Sequence, residues 1–408
     1  MDKEQRRTFA EIVARYRTGQ ISRRRAMQML GALGLAGIAG PALAAGSARA
    51  QDTGTPAPAA TPVLGPQADG TNIWKVQVGG MDMENGIDIH GFFPGEITVN
   101  AGDSVYWAFA PMGVPGFHTV TFTSGGEVPP IFAPDIVDGT PVASPEGPPR
   151  LLINPVVAFP DGRTDYDGTG MVNSGVDVLR TPDQPPYMLK FTAPGIYDYV
   201  CAVHSLVMKG KVTVQEAGAA LPTDVAGYEA MAQEQLAAVI EIGTTAIADA
   251  AAAPAMTEDG AAWDVSAGVG GLTQARVMKF VPREVTIKVG DRVRWTDRTI
   301  GEPHTVTFLG GEEQPEDTIV EPQPAGAPKL IQNYQTFLPS GEAEFDGNGY
   351  RNSGFLGLPP EVGSMFGLLG DSYELTFTAA GDYPYYCILH AGGPDDEHGM
   401  VGKVIVEE

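Results

Sequence analysis

One set of four nitrogen- and sulfur-bearing residues occurs twice in this 408-residue chain, and it constrains the fold more than any other feature. Cys201, His204 and Met208 form one cluster; Cys387, His390 and Met400 form the other. Each has a lone His far upstream, His118 and His304, and in both copies the Cys follows that His by 83 residues. The fold must therefore bring two distant segments together, twice. One thiolate, two imidazoles and a thioether are the donor set of a mononuclear copper site with a weak axial ligand. The sulfur ligands suit Cu(I) and imidazole suits both oxidation states, so such a site exchanges one electron with little rearrangement.

The repetition extends well beyond these residues. Ahead of each first His runs a strand pair, Phe93 to Val99 then Gly102 to Trp107, matched by Val281 to Ile287 then Gly290 to Trp295. Both copies then read His-Thr-Val-Thr-Phe, at His118 to Phe122 and at His304 to Phe308. Phe191-Thr192-Ala193-Pro194-Gly195 leads through Tyr197 and Tyr199 to Cys201, and Phe377-Thr378-Ala379-Ala380-Gly381 through Tyr383 and Tyr385 to Cys387. Gly-Lys-Val follows each Met, at Gly210 and Gly402. Over about three quarters of its length the chain resembles the cupredoxins, the plastocyanin- and azurin-like blue copper proteins. That resemblance implies two Greek-key β-sandwich domains with one type 1 copper each, two per chain. It implies Cys201 and Cys387 as thiolate ligands, His118, His204, His304 and His390 as imidazole ligands, and Met208 and Met400 as axial ligands.

Composition adds the cellular setting. Residues 1–50 hold nine of the 26 basic side chains and three of the 50 acidic ones. A Gly/Ala/Leu-rich stretch from Met27 to Ala45 and an Ala48-Arg49-Ala50 cleavage pattern follow, the layout of a signal peptide. Ser22-Arg23-Arg24-Arg25-Ala26-Met27 resembles a twin-arginine signal, although Ala26 stands where a bulky apolar residue is usual; ordinary secretion and an uncleaved anchor are the alternatives. The expectation is a periplasmic, extracellular or cell-surface protein. Without the leader, 17 basic against 47 acidic side chains give a net charge of −30. Such a surface excludes nucleic acid and anionic membranes as partners, leaving membrane contact to a partner or an uncleaved signal. It favours a basic redox protein, cytochrome c-like or another copper protein, and it also keeps an exported protein soluble. A disulfide between the two Cys would have to join equivalent strands of separate domains, so free, metal-bound thiolates are expected.

Along the chain, 51–70 reads as a disordered Pro/Thr/Ala tether, 71–218 as the first domain, 219–257 as a helical linker and 258–408 as the second domain. Within the linker, Leu221 to Ala253 reads as one helix, with Thr223 as N-cap, apolar positions at Met231, Leu236, Val239, Ile240 and Ile247, and Pro254 as its stop. The helix is expected to join the domains and pack on one or both. A second repeat, Asp167 to Gly175 against Asp346 to Gly354, falls between His and Cys in each copy. Its Asp, Gly and Asn residues suit an ordered loop near the copper-bearing end, and the ligand spacing of an EF-hand is absent.

The histidine count limits the chemistry. There are six, and four are consumed by the two sites, leaving His90 and His398 in different domains. No His-x-His pair exists to build a trinuclear copper cluster, each domain has one Cys where a binuclear centre needs two, and the spare His are too few for a second copper type. The chain is therefore expected to be an electron carrier and not an enzyme, and no residue is assigned a catalytic role. Copper carriage or storage uses the same ligands and stays open, as does an enzyme with extra copper at a subunit interface. Three residues separate His204 from Met208, but nine separate His390 from Met400. His398 falls in that longer acidic loop and reads as solvated. His90 aligns with Met278 in the repeat and is not read as a ligand.

Overall fold

The computed structural model describes residues 60–109, 116–144, 149–180, 184–253, 255–258, 260–358, 363–364, 366–368 and 370–408. The leader, its twin-arginine pattern and residues 51–59 of the tether lie outside the described residues, as does Pro254; the rest of the tether is not disordered as expected, since Gly65 and Pro66 pair antiparallel with Ile73 and Asn72. Strand dominates, at 41% against 12% helix, as a mainly β chain requires.

In the N-terminal half the strands that matter are β1 (Asn72–Asp82), β2 (Ile87–Phe93), β3 (Glu96–Asn100), β4 (Ser104–Phe109), β5 (Thr121–Phe122), β6 (Leu151–Ile153), β7 (Met188–Phe191), β8 (Gly195–Val200) and β9 (Lys209–Gln215). Helix α1 (Val225–Ala251) follows. The C-terminal half brings β10 (Trp263–Gly271), β11 (Ala275–Val281), β12 (Glu284–Lys288), β13 (Arg292–Thr299), β14 (Thr307–Phe308), β15 (Lys329–Gln332), β16 (Ser372–Phe377), β17 (Gly381–Tyr386) and β18 (Val401–Glu407). Equivalent strands pair alike: β9 runs parallel to β3 and antiparallel to β8, and β18 runs parallel to β12 and antiparallel to β17. The Phe93–Pro94 and Val281–Pro282 peptides are both cis.

Period-2 patterning decides which face is inward. Ile97 and Val99 of β3 and Val212 and Val214 of β9 are buried, while Thr98, Lys211 and Thr213 between them are partly exposed. These side chains meet Trp74, Val105, Trp107, Phe122 and Tyr199 in one core. Val285, Ile287, Val293, Trp295, Phe308 and Tyr385 form the matching core of the other half.

The halves are fused through one eleven-stranded sheet, in which β7, β4, β1, β2, β11, β10, β13 and β16 lie side by side. The join is the antiparallel β2–β11 pair, with Ile89 opposite Ala275, Asp88 opposite Arg276 and Ile87 opposite Val277. A second contact pairs β6 with β15, Leu152 opposite Ile331. Helix α1 covers the first join: Ala232 and Val239 pack with Ile87, Ile89 and Phe93 from one half and Val269, Ala275 and Val277 from the other. Gly243 allows this approach, since a Cβ there would fall 2.7 Å from Ile87 Cδ1.

Two details of the helix differ from expectation. Its N-cap is Asp224, whose extended backbone lets its carboxylate accept from Gly227 N, so Thr223 precedes the cap. Leu236, Ile240 and Ile247 pack inward with Val239, but Met231 points outward and is 41% exposed. Among the described residues no helix is long and apolar enough to cross a membrane.

Candidate metal centres

Each Cys emerges from the end of a strand, Cys201 from β8 and Cys387 from β17. The loop that follows folds back in the same way twice. Cys201 N donates to Met208 O at 3.0 Å and Met208 N to His204 O at 2.9 Å. Cys387 N donates to Met400 O at 2.9 Å and Met400 N to His390 O at 3.0 Å. The longer second loop reaches the same closure because Asp396 holds it from within, accepting from Gly392 N and His398 N. His398 itself is exposed, as expected. The upstream His arrive just ahead of β5 and β14, His118 N donating to Asp177 Oδ1 at 2.9 Å and His304 N to Leu356 O at 3.2 Å.

The sequence-distant residues converge in both halves. His118 Nδ1 lies 3.1 Å from His204 Nδ1, and Cys201 Sγ lies 3.6 Å from His204 Nδ1. His304 Nδ1 lies 3.2 Å from His390 Nδ1, with Cys387 Sγ 3.9 Å and 3.3 Å from the two rings. Bonds of about 2.0 Å to nitrogen and 2.3 Å to sulfur put the donors of a trigonal site roughly this far apart, so the residues fit a single metal ion. Both Cys are free and buried, and Met208 and Met400 are fully buried. Each sulfur also accepts a backbone N–H at 3.3 Å, from Thr119 and from Thr305. Such hydrogen bonds tune a metal-bound thiolate.

Packing fixes the ring orientations. A Cβ on Gly79 would fall 2.5 Å from His118 Nε2, and one on Gly268 2.3 Å from His304 Nε2. His304 Nε2 also meets Thr299 Oγ1 at 2.9 Å, and that hydroxyl lies 2.7 Å from Asp297 Oδ1. This chain favours the proton on Nε2 and leaves Nδ1 free for metal.

The electrostatics suit thiolate donors. Burial alone would raise Cys201, but His204 and His118 outweigh it and hold the thiol down to about 5. Cys387 likewise sits well below the ordinary thiol value, His390 and His304 overcoming its burial. Burial alone would lower His204 and His390, yet the adjoining thiolates and Glu302 push both up to about 10. Burial would raise Glu302, and His204 and His390 instead hold it well below the usual carboxylate range.

Three roles were not assigned from the sequence. Asn173 and Ser174, and their counterparts Asn352 and Ser353, clamp the His-Thr-Val-Thr-Phe segments: Val120 N donates to Ser174 Oγ and Val306 N to Ser353 Oγ, both at 2.8 Å. The signal was present as the repeated Asn-Ser-Gly. Glu302 is the second: Oε1 accepts from His390 Nε2 at 3.0 Å, and Oε2 lies 3.2 Å from His204 Nε2. It stands between the two centres, and the repeat places Gly116 at its position in the first copy. The third is His90, whose ring stacks on His204 with centroids 3.8 Å apart.

No protein-family model matches the chain. Among curated proteins it is similar to the chloroplastic plastocyanin of Tetradesmus obliquus, 32% identical over 31% of this chain and 58% of that protein. The chloroplastic plastocyanin of Chlamydomonas reinhardtii is 30% identical over 32% of this chain and 59% of its own length. The chain thus spans a little over half the length of the curated relatives it matches. Among solved structures, amicyanin from Paracoccus versutus aligns at 22% identity over 39% of this chain and 88% of its own, with a TM-score of 0.18. The oxidised P94A mutant of amicyanin aligns at 22% identity over 39% of this chain and 89% of its own, with a TM-score of 0.19. The kinship with plastocyanins supports a cupredoxin-like fold over about a third of the chain.

Proposed function

We propose that the chain is an exported blue copper protein that passes single electrons between redox partners. In this reading 71–218 and 258–408 are two Greek-key cupredoxin domains and 219–257 is the helical link between them. His118, Cys201, His204 and Met208 hold one copper; His304, Cys387, His390 and Met400 hold the other. The observation that carries the reading is the convergence of two Nδ1 atoms and one Sγ in each half, with a fully buried Met in the same loop. When bound, copper supplies a one-electron couple that neither side-chain set has by itself.

The protein's own residues then do three things. Backbone packing at Gly79 and Gly268 keeps His118 and His304 turned to their thiolates. Thr119 and Thr305 donate N–H groups to the sulfurs. Glu302 lies against one imidazole of each centre, which supports a coupled pair over independent sites on a tether. An acidic surface steers a basic redox partner to the protein at low salt.

Visible and EPR spectra of the copper-loaded protein, with copper counted per chain, test this. An intense thiolate band, halved by Cys201→Ser and by Cys387→Ser separately and bleached reversibly by reductant, is the expected result. A colourless protein holding only Cu(I) that resists oxidation would sink electron transfer in favour of copper carriage or storage.

A further inference from the structure

We propose that the seam between the halves holds a third metal site, formed by His90 and His204 from the N-terminal half and Glu302 from the C-terminal half, with Asp88 beside them. The donors His90, His204 and Glu302 lie within 4.8 Å of one another, and all three residues are buried. Glu302 Oε2 is 3.2 Å from His204 Nε2 and 4.0 Å from His90 Nε2. Asp88 Oδ2 is 3.4 Å from His90 Nε2.

The polar atoms here are under-satisfied. Glu302 Oε2 forms an ion pair with His204 Nε2 at 3.2 Å and no further hydrogen bond, while Asp88 Oδ1 and His90 Nδ1 have no hydrogen-bond partner. Leaving such atoms dry and unpaired is costly, and buried charges are normally paired or bound to metal. The guanidinium of Arg276, opposite Asp88 on β11, acts on Glu302 and Asp88 through its charge but hydrogen-bonds neither, donating instead to the carbonyls of Gly271 and Ile300. A divalent cation would satisfy the two carboxylates. Two imidazoles with one or two carboxylates favour a borderline ion such as Zn(II) or Cu(II). His390 Nε2 donates to Glu302 Oε1 and leaves Oε2 facing the site; the His90 and His204 rings lie stacked 3.8 Å apart, so sharing one ion requires His90 to turn out of the stack.

His204 serves both sides of its ring. Nδ1 faces Cys201, and Nε2 faces Glu302. Binding at Nε2 displaces the ring proton to solvent, so filling both positions makes His204 an imidazolate bridge. The site arises once because the copies have diverged. Met278 stands where His90 would recur, and Gly116 where Glu302 would. In the first copy a side chain at Gly116 would meet Asp177 Oδ2 at 2.8 Å, so the acidic residue is accommodated only in the second.

Zn(II) binding to the full chain, by equilibrium dialysis with elemental analysis, tests the proposal. Wild type and His90→Met, which carries the side chain found in the other copy, are compared before and after copper loading. Wild type is expected to hold three metal ions per chain and His90→Met two, with Glu302→Gln losing the same equivalent. Wild type holding two, or His90→Met still holding three, overturns the site. Should His90→Met not fold, Glu302→Gln decides. Blue bands read on the same samples separate the two readings: a third equivalent without blue bands refutes electron transfer alone, and blue bands without a third equivalent refute this site alone.

Discussion

Asn173 Oδ1 accepts the Thr121 hydroxyl at 2.9 Å, and Asn352 does the same for Thr307 in the second copy. The amide nitrogen of Asn173 meanwhile reaches the carbonyls of Val156, Val157 and Phe159. A loop residue thus ties a helical turn to the strand that follows His118. Asn173→Ala leaves these buried groups unpaired and is expected to destabilise the protein by about 2–4 kcal/mol. Urea unfolding measures the loss. Because Ala202 N donates to Thr119 Oγ1, and that oxygen to the same hydroxyl ladder, the Cys201 blue band should weaken while that of Cys387 persists.

Gly79 and Gly268 make a second, copy-specific prediction. Both have positive φ, 63° and 72°, and both back directly onto a candidate ligand ring. Gly79→Ala adds a methyl where His118 Nε2 now lies and forces a left-handed backbone on a residue with a side chain. Metal counting should show one blue centre lost, that of Cys201, and Gly268→Ala should remove the other. Loss of both centres from either substitution would show that the halves do not bind metal separately.

The convergence of each Cys with its two His was legible because a Cys, a close His and a Met recur at matching offsets, so the two copies check each other. The same comparison hid Glu302 and His90. Each has a repeat partner that cannot do its chemistry, Gly116 and Met278, so a reading built on agreement between copies discards them. The β2–β11 join was hidden for another reason. Strand β2 is buried along its whole length, including Asp88 and His90, so it lacks the alternation that marks a half-exposed strand. Thr223 and Asp224 are both good N-caps, and only the backbone turn at Asp224 chooses between them.

Glu302 should influence both centres at once. Its carboxylate contacts His204 and His390, and a buried anion favours the more positive, oxidised metal. Glu302→Gln keeps the shape and removes the charge. Loss of a charged contact worth about 1.5–3 kcal/mol raises a one-electron potential by roughly 65–130 mV. Redox titration of the wild type, Cys201→Ser and Cys387→Ser, each with and without Glu302→Gln, should show the rise at both centres. A shift confined to one would mean that Glu302 serves a single site.

Buried charge also ties the second seam. Asp135 is 1% exposed and meets Lys329 Nζ at 2.6 Å across the halves and Arg150 Nε at 3.4 Å within its own. Asp135→Ala removes the buried partner of Lys329, while Arg150 keeps Glu321 at 2.8 Å, and is expected to cost about 1–3 kcal/mol. Asp135→Asn should cost less, since the amide oxygen still accepts. Urea unfolding monitored by tryptophan fluorescence measures both, and an unchanged midpoint for Asp135→Ala would show that the seam does not depend on this pair.

The metal-free protein has a distinctive pH profile. Cys201 is held down to about 5 and His204 pushed up to about 10, against ordinary values near 9 and 6.5. A depressed thiol contributes stability that is fully present above its unfolded value and is lost as pH falls through the folded one. A raised imidazole contributes stability that is fully present below its unfolded value and is lost as pH rises through the folded one. The thiolate–imidazolium pair therefore persists between about pH 5 and pH 10 and weakens on either side. Thiolate ultraviolet absorbance in the apo protein should disappear on acidification with a midpoint near pH 5 for Cys201, and well below the ordinary thiol value for Cys387. Copper then competes with protons, so its affinity falls steeply below that midpoint. A thiolate band that vanished near pH 9 would show that the two imidazoles do not stabilise the sulfur in the absence of metal.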